Sequence, residues 1–316
     1  MTNKLKPDWA GEDILSRFVN LLIQTKPLYN IMKGQARQVL IKTAEKNGIP
    51  WRETYQKLDR TPVKSLLSKI TNQSITYPEY YQVPFHAYSE GNLCWAAAFE
   101  AESATKAMGL RVWKGENLTW QEAENRMRGN FHKILGEYSP PIVSDILDVG
   151  CSVGISTLTL HRYYSQRQQE PLRTVGLDLS PYMLSVAKIC DKKGEIDRWI
   201  HANAENTGLS DRSFDIISLQ FVIHELPRYA SKAIFKEMLR ILRPGGILSI
   251  IDNNPKSPVI QSLPPALFVL MKSTEPWSDD FYTFDVEAAL KEAGFEHRIT
   301  TPSDPRHRTI IAIKPY

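Results

Sequence analysis

The sequence predicts an α/β protein in which a seven-stranded, mostly parallel sheet ends in an antiparallel strand pair and is preceded by a mainly helical N-terminal region. Two observations predict this. From Ile142 onward, short β-rich apolar runs alternate with helical stretches, the pattern of strand–helix–strand units that stack into a parallel sheet covered on both faces. The last two runs, 295–300 and 309–313, are joined by a loop carrying Pro302, Asp304 and Pro305 rather than by a helix, so they pair antiparallel. Composition agrees: 316 residues, 42% hydrophobic and 23% charged, supply core material for one large or two ordinary domains and exclude a fibrous or disordered chain.

The first 70 residues read as helices. Ile14, Leu15, Phe18, Val19, Leu22 and Ile23 recur at three- and four-residue intervals, and a second patterned stretch covers about 31–44. Asn47, Gly48 and Pro50 interrupt the pattern, a third helix spans about 51–58, and Thr61-Pro62 reads as an N-cap with proline at the first position of a fourth. Residues 1–70 hold 13 Lys and Arg against 6 Asp and Glu, a surplus of +7, whereas the whole chain carries only +4. That total is too mild to require nucleic acid. The local surplus has two readings, a solvated face or a basic surface resting on anionic lipid or an acidic partner.

Residues 75–95 gather Tyr77, Tyr80, Tyr81, Phe85, Tyr88 and Trp95, with Pro78 and Pro84 preventing a continuous helix. Such a run either lines a pocket for a flat or greasy ligand or packs as an irregular layer. Helices over about 93–108 and 119–138 follow. Ser139-Pro140-Pro141 then closes the region, which sets the expected division into a helical part, 1–140, and an α/β domain, 141–316. Cys94, Cys151 and Cys190 are far apart with no Cys-x-x-Cys pair, so neither a disulfide framework nor a metal centre is expected and a reducing compartment fits best. The chain starts without an apolar signal core and its longest apolar runs are too short to span a bilayer, so the expected location is cytoplasmic, with peripheral membrane contact through residues 1–70 kept open.

In the α/β part, strands are predicted at 145–149, 174–178, 199–202, 214–219 and 247–252, with helices near 155–165, 181–188 and 229–242. The first strand runs into LDVGCSVG (147–154), a turn in which Gly150 and Gly154 are expected to let a ligand approach the backbone at a helix N-terminus. The dinucleotide fingerprint would need glycine at 152 and 155, where Ser152 and Ile155 stand, which weakens a nicotinamide or flavin reading. Asp178 ends the second strand, where a carboxylate accepts both hydroxyls of a ribose; a helix N-cap role is the alternative, but Ser180-Pro181 already supplies one. Asn203-Ala204-Glu205 forms the third tip, and LRPGG (242–246) is expected to break the preceding helix and start the fifth strand.

From about Ile142 to the C-terminus these motifs, LDVGCSVG, VGLDLSPYML (175–184), NAENTGLSDRSFD (203–215) and LRPGG, in this order, resemble the class I S-adenosylmethionine-dependent methyltransferases. Within that class they resemble the type that includes the ubiquinone and menaquinone methyltransferases, with a methyltransferase type 11 domain and a Rossmann-like sheet. The resemblance implies S-adenosyl-L-methionine as cofactor. It places Asp148 and Gly150 in the wall around the cofactor's methionine end, has Gly154 permit close approach of the turn, puts Asp178 on the ribose, Leu179 beside the adenine and Asn203 and Ala204 at its edge, and counts Cys151, Ser152 and Gln220 among the cofactor-binding residues. Ser152 replaces the family's middle glycine, and Asn203 replaces its usual aspartate, whose acceptor role an amide oxygen can keep. The whole chain, notably YPEYYQVPFHAY (77–88) and the stretch 252–284, also resembles a little-characterised methyltransferase group of photosynthetic bacteria and plastids with a similar helical extension.

A sulfonium methyl is already electrophilic, so the protein's part is in-line positioning plus a base where the acceptor must lose a proton. His224 stands where the resemblance implies a histidine base, with Glu225 to orient it or act instead; packing at the top of the sheet is the alternative. No Asn-Pro-Pro-Tyr tetrapeptide follows this strand, which argues against a nucleic-acid acceptor. The proline-rich insert 253–283, apolar at 266–271, leaves the ligand end of the sheet and, with 75–95, is expected either to cover an apolar acceptor or to dock the two regions together. The expected function is methyl transfer to an oxygen or carbon of a small, aromatic or lipophilic acceptor. The competing expectation is a catalytically silent cofactor-binding scaffold acting through its basic helices on a membrane or protein.

Overall fold

Strands β1 (Asp145–Val149), β2 (Arg173–Asp178), β3 (Arg198–His201), β4 (Phe214–Gln220), β5 (Leu242–Asn253), β6 (Glu296–Pro302) and β7 (His307–Ile313) form one sheet in the order β3-β2-β1-β4-β5-β7-β6. The first five are parallel, and β7 lies antiparallel between β5 and β6, as the sequence predicts. The structure is a computed structural model that describes residue 21 and residues 26–86, 88–113, 115–264 and 273–316. The helix expected over 14–23 falls outside them except for Leu21, as does the apolar centre of the insert, 266–271.

Helices are α1 (Lys26–Lys46), α2 (Trp51–Asp59), α3 (Leu67–Ile70), α4 (Trp95–Val112), α5 (Trp120–Tyr138), α6 (Ile155–Ser165), α7 (Pro181–Cys190), α8 (Arg228–Ile241), α9 (Pro258–Gln261), α10 (Ser278–Tyr282) and α11 (Val286–Ala293). The fourth predicted helix opens differently from expectation. The Thr61 hydroxyl donates back to the Leu58 carbonyl and caps nothing ahead of it, so Pro62–Leu66 tightens into a 3-10 turn before α3. LRPGG ends α8 and starts β5, as expected, but the strand begins at Leu242 itself, five residues before the predicted 247. Pairing jumps from Phe214–Leu242 to Ile216–Ile247, and Gly245, at φ +76°, donates its N–H to the Lys314 carbonyl, so glycine's backbone freedom absorbs the extra residues within the strand.

Successive strand residues face opposite sides, which fixes two cores. Leu147, Ile217, Leu248 and Ile310 pack under α8 and α11 with Ile234, Phe235, Met238 and Leu290. Their neighbours Ile146, Ile216, Ile247 and Ile311 face the other side, where α5 contributes Phe131 and Leu135 and α6 contributes Leu160. Each such side chain contributes about 1.5–3 kcal/mol on burial. α5 begins with a reciprocal Thr119–Glu122 capping box. The boundary expected at residue 140 thus falls between a helix and the sheet that helix covers. α2 and α4 pack through Leu58 and Phe99 onto Met183 and Val186 of α7, which ties the N-terminal helices to the rim of the sheet. Among the described residues no helix is long and apolar enough to cross a membrane.

Candidate active site

The connection after β1 leads to β2 on one side and the connection after β4 leads to β5 on the other, so a crevice opens between the carboxyl ends of β1 and β4. The loop leaving β1 enters it. Gly150, Ser152 and Gly154 all take positive φ, +69°, +50° and +83°, and the Gly150 and Cys151 N–H groups both donate to the Leu177 carbonyl at 2.8 and 3.0 Å, clamping the loop onto β2. Gly154 is the left-handed N-cap of α6 and no side chain caps that helix, a setting that suits a polar or anionic ligand.

Packing also requires the glycines of this loop: a Cβ would stand 2.6 Å from the Val222 side chain at Gly150 and 2.5 Å from the Trp199 ring at Gly154. The Cys151 side chain is buried against Gly176, and burial first, then the Asp178 and Asp148 charges, push the thiol well above its ordinary value.

Asp148 is 1% exposed. Its Oδ2 accepts from Ser156 Oγ at 2.6 Å and Thr157 Oγ1 at 2.7 Å, while its Oδ1 is buried with no partner, and burial raises its carboxyl despite those hydroxyls. Asp178 receives the Ser152 N–H on Oδ2 and the Ser180 N–H on Oδ1, both at 2.7 Å. Burial lifts it to about 6 against the pull of the Ser180 and Ser152 N–H groups. The Leu179 carbonyl accepts from His201 Nε2, since His201 Nδ1 is taken by the Asn72 N–H. Asn203 spends its amide oxygen on the Glu205 N–H at 2.9 Å, capping its own turn, and Ala204 packs against the core. Gln220, buried at the end of β4, donates to Ser218 and accepts from Arg128 Nη1 at 3.4 Å. Arg128 is buried and also pairs with Glu124. Sequence reasoning did not single it out, although it shares the apolar stripe of α5 with Phe131 and Leu135, three and seven residues on.

Across the crevice, a 3-10 turn, Ile223–Glu225, carries His224 and Glu225. His224 Nδ1 lies 2.8 Å from Asp252 Oδ1, and its N–H donates to the other oxygen of that carboxylate. Burial alone would push the imidazole down, but Asp252 beside it, with Glu225 and Glu275 farther off, carries it up to about 10. Burial pushes the Glu225 carboxyl up while His224 pulls it down. Asp252, at the tip of β5, was missed by sequence reasoning, although the rule that found Asp178 at a strand tip applies to it equally.

The aromatic segment lies over these tips. Asn92 accepts from Ser180 Oγ at 2.6 Å and donates to Glu225 Oε2 at 3.3 Å, and Tyr80 donates to Glu205 at 2.5 Å. Burial, then the Asp178 and Glu225 charges, push the Tyr81 phenol well up. The His86 N–H donates to the Thr274 carbonyl, and Phe281 of α10 meets the His224 ring edge-on at 6.1 Å. The segment 77–92 and the described end of the insert therefore converge on His224. Among the described residues four non-glycine positions take positive φ, and three of them, His86, Ser152 and Phe221, lie around this crevice, where strained backbone is held in place by its surroundings.

Residues 147–250 match a family model described as a methyltransferase domain. The methyltransferase tpcH of Aspergillus fumigatus is 30% identical over 177 residues, covering 49% of this chain and 59% of its own. A demethylmenaquinone methyltransferase of Staphylococcus epidermidis is 31% identical over 121 residues, 38% of this chain and 48% of its own. The chain thus spans about half to three-fifths of the length of these curated relatives. A solved S-adenosylmethionine-dependent methyltransferase of Aquifex aeolicus aligns over 65% of this chain and 98% of its own, at 18% identity and a TM-score of 0.47. The residues present fit S-adenosylmethionine. The unpartnered Asp148 Oδ1 wants a donor at the methionine end, and each Asp178 oxygen keeps a lone pair beyond its one N–H for the ribose. With its four motifs in order on this sheet and the family match running from β1 into β5, the chain carries a class I S-adenosylmethionine-dependent methyltransferase domain.

Proposed function

We propose that this chain transfers a methyl group from S-adenosylmethionine to an oxygen or carbon of a small aromatic or lipophilic acceptor. The observation that carries the reading is the His224–Asp252 pair at the end of β4, across the crevice from the loop 150–154 and covered by residues 77–92. The cofactor supplies an electrophilic methyl carbon. Asp178 takes the ribose hydroxyls, Asp148 takes the amino group of the methionine end, and the backbone of Gly150, Cys151, Ser152 and Gly154 lines that end. Leu179, Asn203 and Ala204 flank the adenine, and Gln220, braced by Arg128 and Ser218, closes the floor.

On the acceptor side, Asp252 holds His224 Nδ1 and leaves Nε2 for the acceptor's hydroxyl. The same pairing keeps a proton on the ring at neutral pH, so His224 serves as a base only after giving that proton up, and otherwise as the cation that steadies an acceptor oxyanion. Glu225, held by Asn92, orients the acceptor. Residues 77–86 and 88–92 cap this end, the aromatic rings of Tyr77, Tyr81 and Phe281 favour a greasy acceptor, and relatives named as demethylmenaquinone methyltransferases point the same way. The basic residues 1–70 rest on the anionic membrane surface from which a lipophilic acceptor is drawn.

The test is incubation with methyl-labelled cofactor and a small-molecule extract of the source organism, read by mass spectrometry, alongside calorimetry with S-adenosylhomocysteine. Labelled product that disappears in His224→Ala while S-adenosylhomocysteine still binds supports the reading. Failure of wild-type protein to bind cofactor or product refutes it.

A further inference from the structure

The segment that covers the crevice contributes more than a roof. One ring nitrogen of His86, one of His224 and one carboxylate oxygen of Glu225 lie within 4.8 Å of one another, with His86 Nε2 3.9 Å from Glu225 Oε1. We propose that His86, His224 and Glu225 bind a divalent transition-metal ion, of which Zn²⁺ is the type, at the acceptor end of the crevice. The inference rests on the reading of this end as the acceptor's.

Four arguments carry it. Two imidazoles and a carboxylate are the donor set that borderline metals such as Zn²⁺ take, and three protein ligands leave a fourth position open, which is the form of a catalytic rather than a structural site. His224 has its Nδ1 on Asp252 at 2.8 Å, so the nitrogen left for an ion is Nε2, whose proton a binding ion would displace to water, and a carboxylate behind a ligating imidazole is the support such ligands ordinarily have. Glu225 is steadied in the same way by Asn92 at 3.3 Å. His86 sits at φ +46°, a strained conformation for a non-glycine residue, and its N–H is tied to Thr274; a metal ligand gives that strain a purpose.

The spacing asks for a small movement. Ligands about 2.1 Å from a tetrahedral ion stand about 3.4 Å apart, so the trio must close by roughly 1 Å. His86 is able to supply that movement, since its side chain is 41% exposed on a loop, whereas His224 and Glu225 are fixed in the turn after β4. An acceptor hydroxyl at the open position would bind through its oxygen and release its proton to water, so the ion would do what a histidine base does otherwise. No linear spacing announces such a site, because 138 residues separate His86 from His224.

The test uses the full chain stripped of metal, titrated with Zn²⁺ by calorimetry and with Co²⁺ by visible absorption. One ion per chain is expected, with the intense d–d bands of low-coordinate Co²⁺. His86→Ala, His224→Ala and Glu225→Gln should each abolish both signals, and Asp252→Asn should weaken binding by about 10- to 100-fold. His297→Ala, which removes an exposed imidazole from the edge strand, should change nothing. S-adenosylhomocysteine binding retained in His86→Ala shows that this variant is folded. Absence of saturable ion binding, or binding that survives His86→Ala, overturns the proposal. Ion binding in a wild-type chain that does not bind S-adenosylhomocysteine would leave the metal site standing and remove the cofactor reading instead.

Discussion

In the proposed role of ribose acceptor, Asp178 would make cofactor binding sensitive to pH in a range where an ordinary aspartate is silent. Burial raises its carboxyl from 3.8 to about 6, even though two backbone N–H groups pull the other way. The ribose hydroxyls need an ionised acceptor. At pH 5 about one molecule in ten carries that charge and at pH 7 about nine in ten do, so affinity for S-adenosylhomocysteine should rise about 10-fold, or about 1.4 kcal/mol, between them. An aspartate titrating at its ordinary value would give almost no change over this interval. In the ligand-free protein the sign is opposite. Between 3.8 and 6 the folded state holds a proton that the unfolded chain does not, so stability falls as pH rises through that window, by at most about 3 kcal/mol. Calorimetry of S-adenosylhomocysteine at pH 5, 6 and 7 and constant ionic strength tests the first part, with Asp178→Asn as control. The wild type should show the 10-fold rise and the variant a weak, flat profile. A flat wild-type profile, or the same slope in Asp178→Asn, would refute the assignment of this carboxylate to the ribose.

Three packing predictions follow from the same region. Gly176→Ala would place a Cβ 2.5 Å from the Trp199 ring and should cost about 1–3 kcal/mol in urea unfolding; Trp199→Leu should recover at least half of that, and a double-mutant cycle without coupling would show that the ring is not the obstacle. Gly150→Ala combines φ +69° with a 2.6 Å approach to Val222, so a loss of about 2–4 kcal/mol is expected, and a neutral thermal shift would contradict the loop geometry. Phe131→Ala should remove about 3–5 kcal/mol and lower the single unfolding transition of sheet and α5 together, whereas an early melt confined to helical signal would mean that α5 does not share the sheet's core.

What the sequence showed and what it hid divide along a physical line. Strand β1 and helix α6 were legible because local signals defined them: a β-rich apolar run, two glycines and a helical period. Asp178 was legible because a strand tip needs no tertiary information to be located. Asp252 ends β5 in the same way and was readable by the same rule. The first residues of β5, which runs from Leu242 rather than from 247, were hidden because Pro-Gly-Gly signals a turn locally, and only the Lys314 carbonyl just past β7, which accepts the Gly245 N–H, shows the strand continuing through it. The packing demand at Gly154 was hidden for a similar reason: the sequence shows that a side chain is missing but not that Trp199, 45 residues on, stands where its Cβ would go. His86 was beyond any local rule, since its meaning comes from a loop laid across strands that form more than 50 residues later.

The two ends of the crevice are therefore specified by different parts of the chain. Every residue assigned to the cofactor lies between 148 and 220, inside the stretch 147–250 that matches the methyltransferase domain. The acceptor end draws His224 and Glu225 from that stretch, but His86, Asn92 and the aromatic rings come from before it, and Asp252 and Phe281 from after it. A family match limited to the cofactor half can carry the donor's chemistry from one protein to another while saying nothing about the acceptor's. Within the parts outside the match, the segment 77–92 meets the cofactor half at the strand tips, through Asn92 to Ser180 and Glu225, Tyr80 to Glu205 and Tyr77 to His201. Substitutions among residues 77–92 should accordingly change which molecule is methylated before they change whether cofactor binds, and a swap of that segment between relatives is the direct way to move specificity.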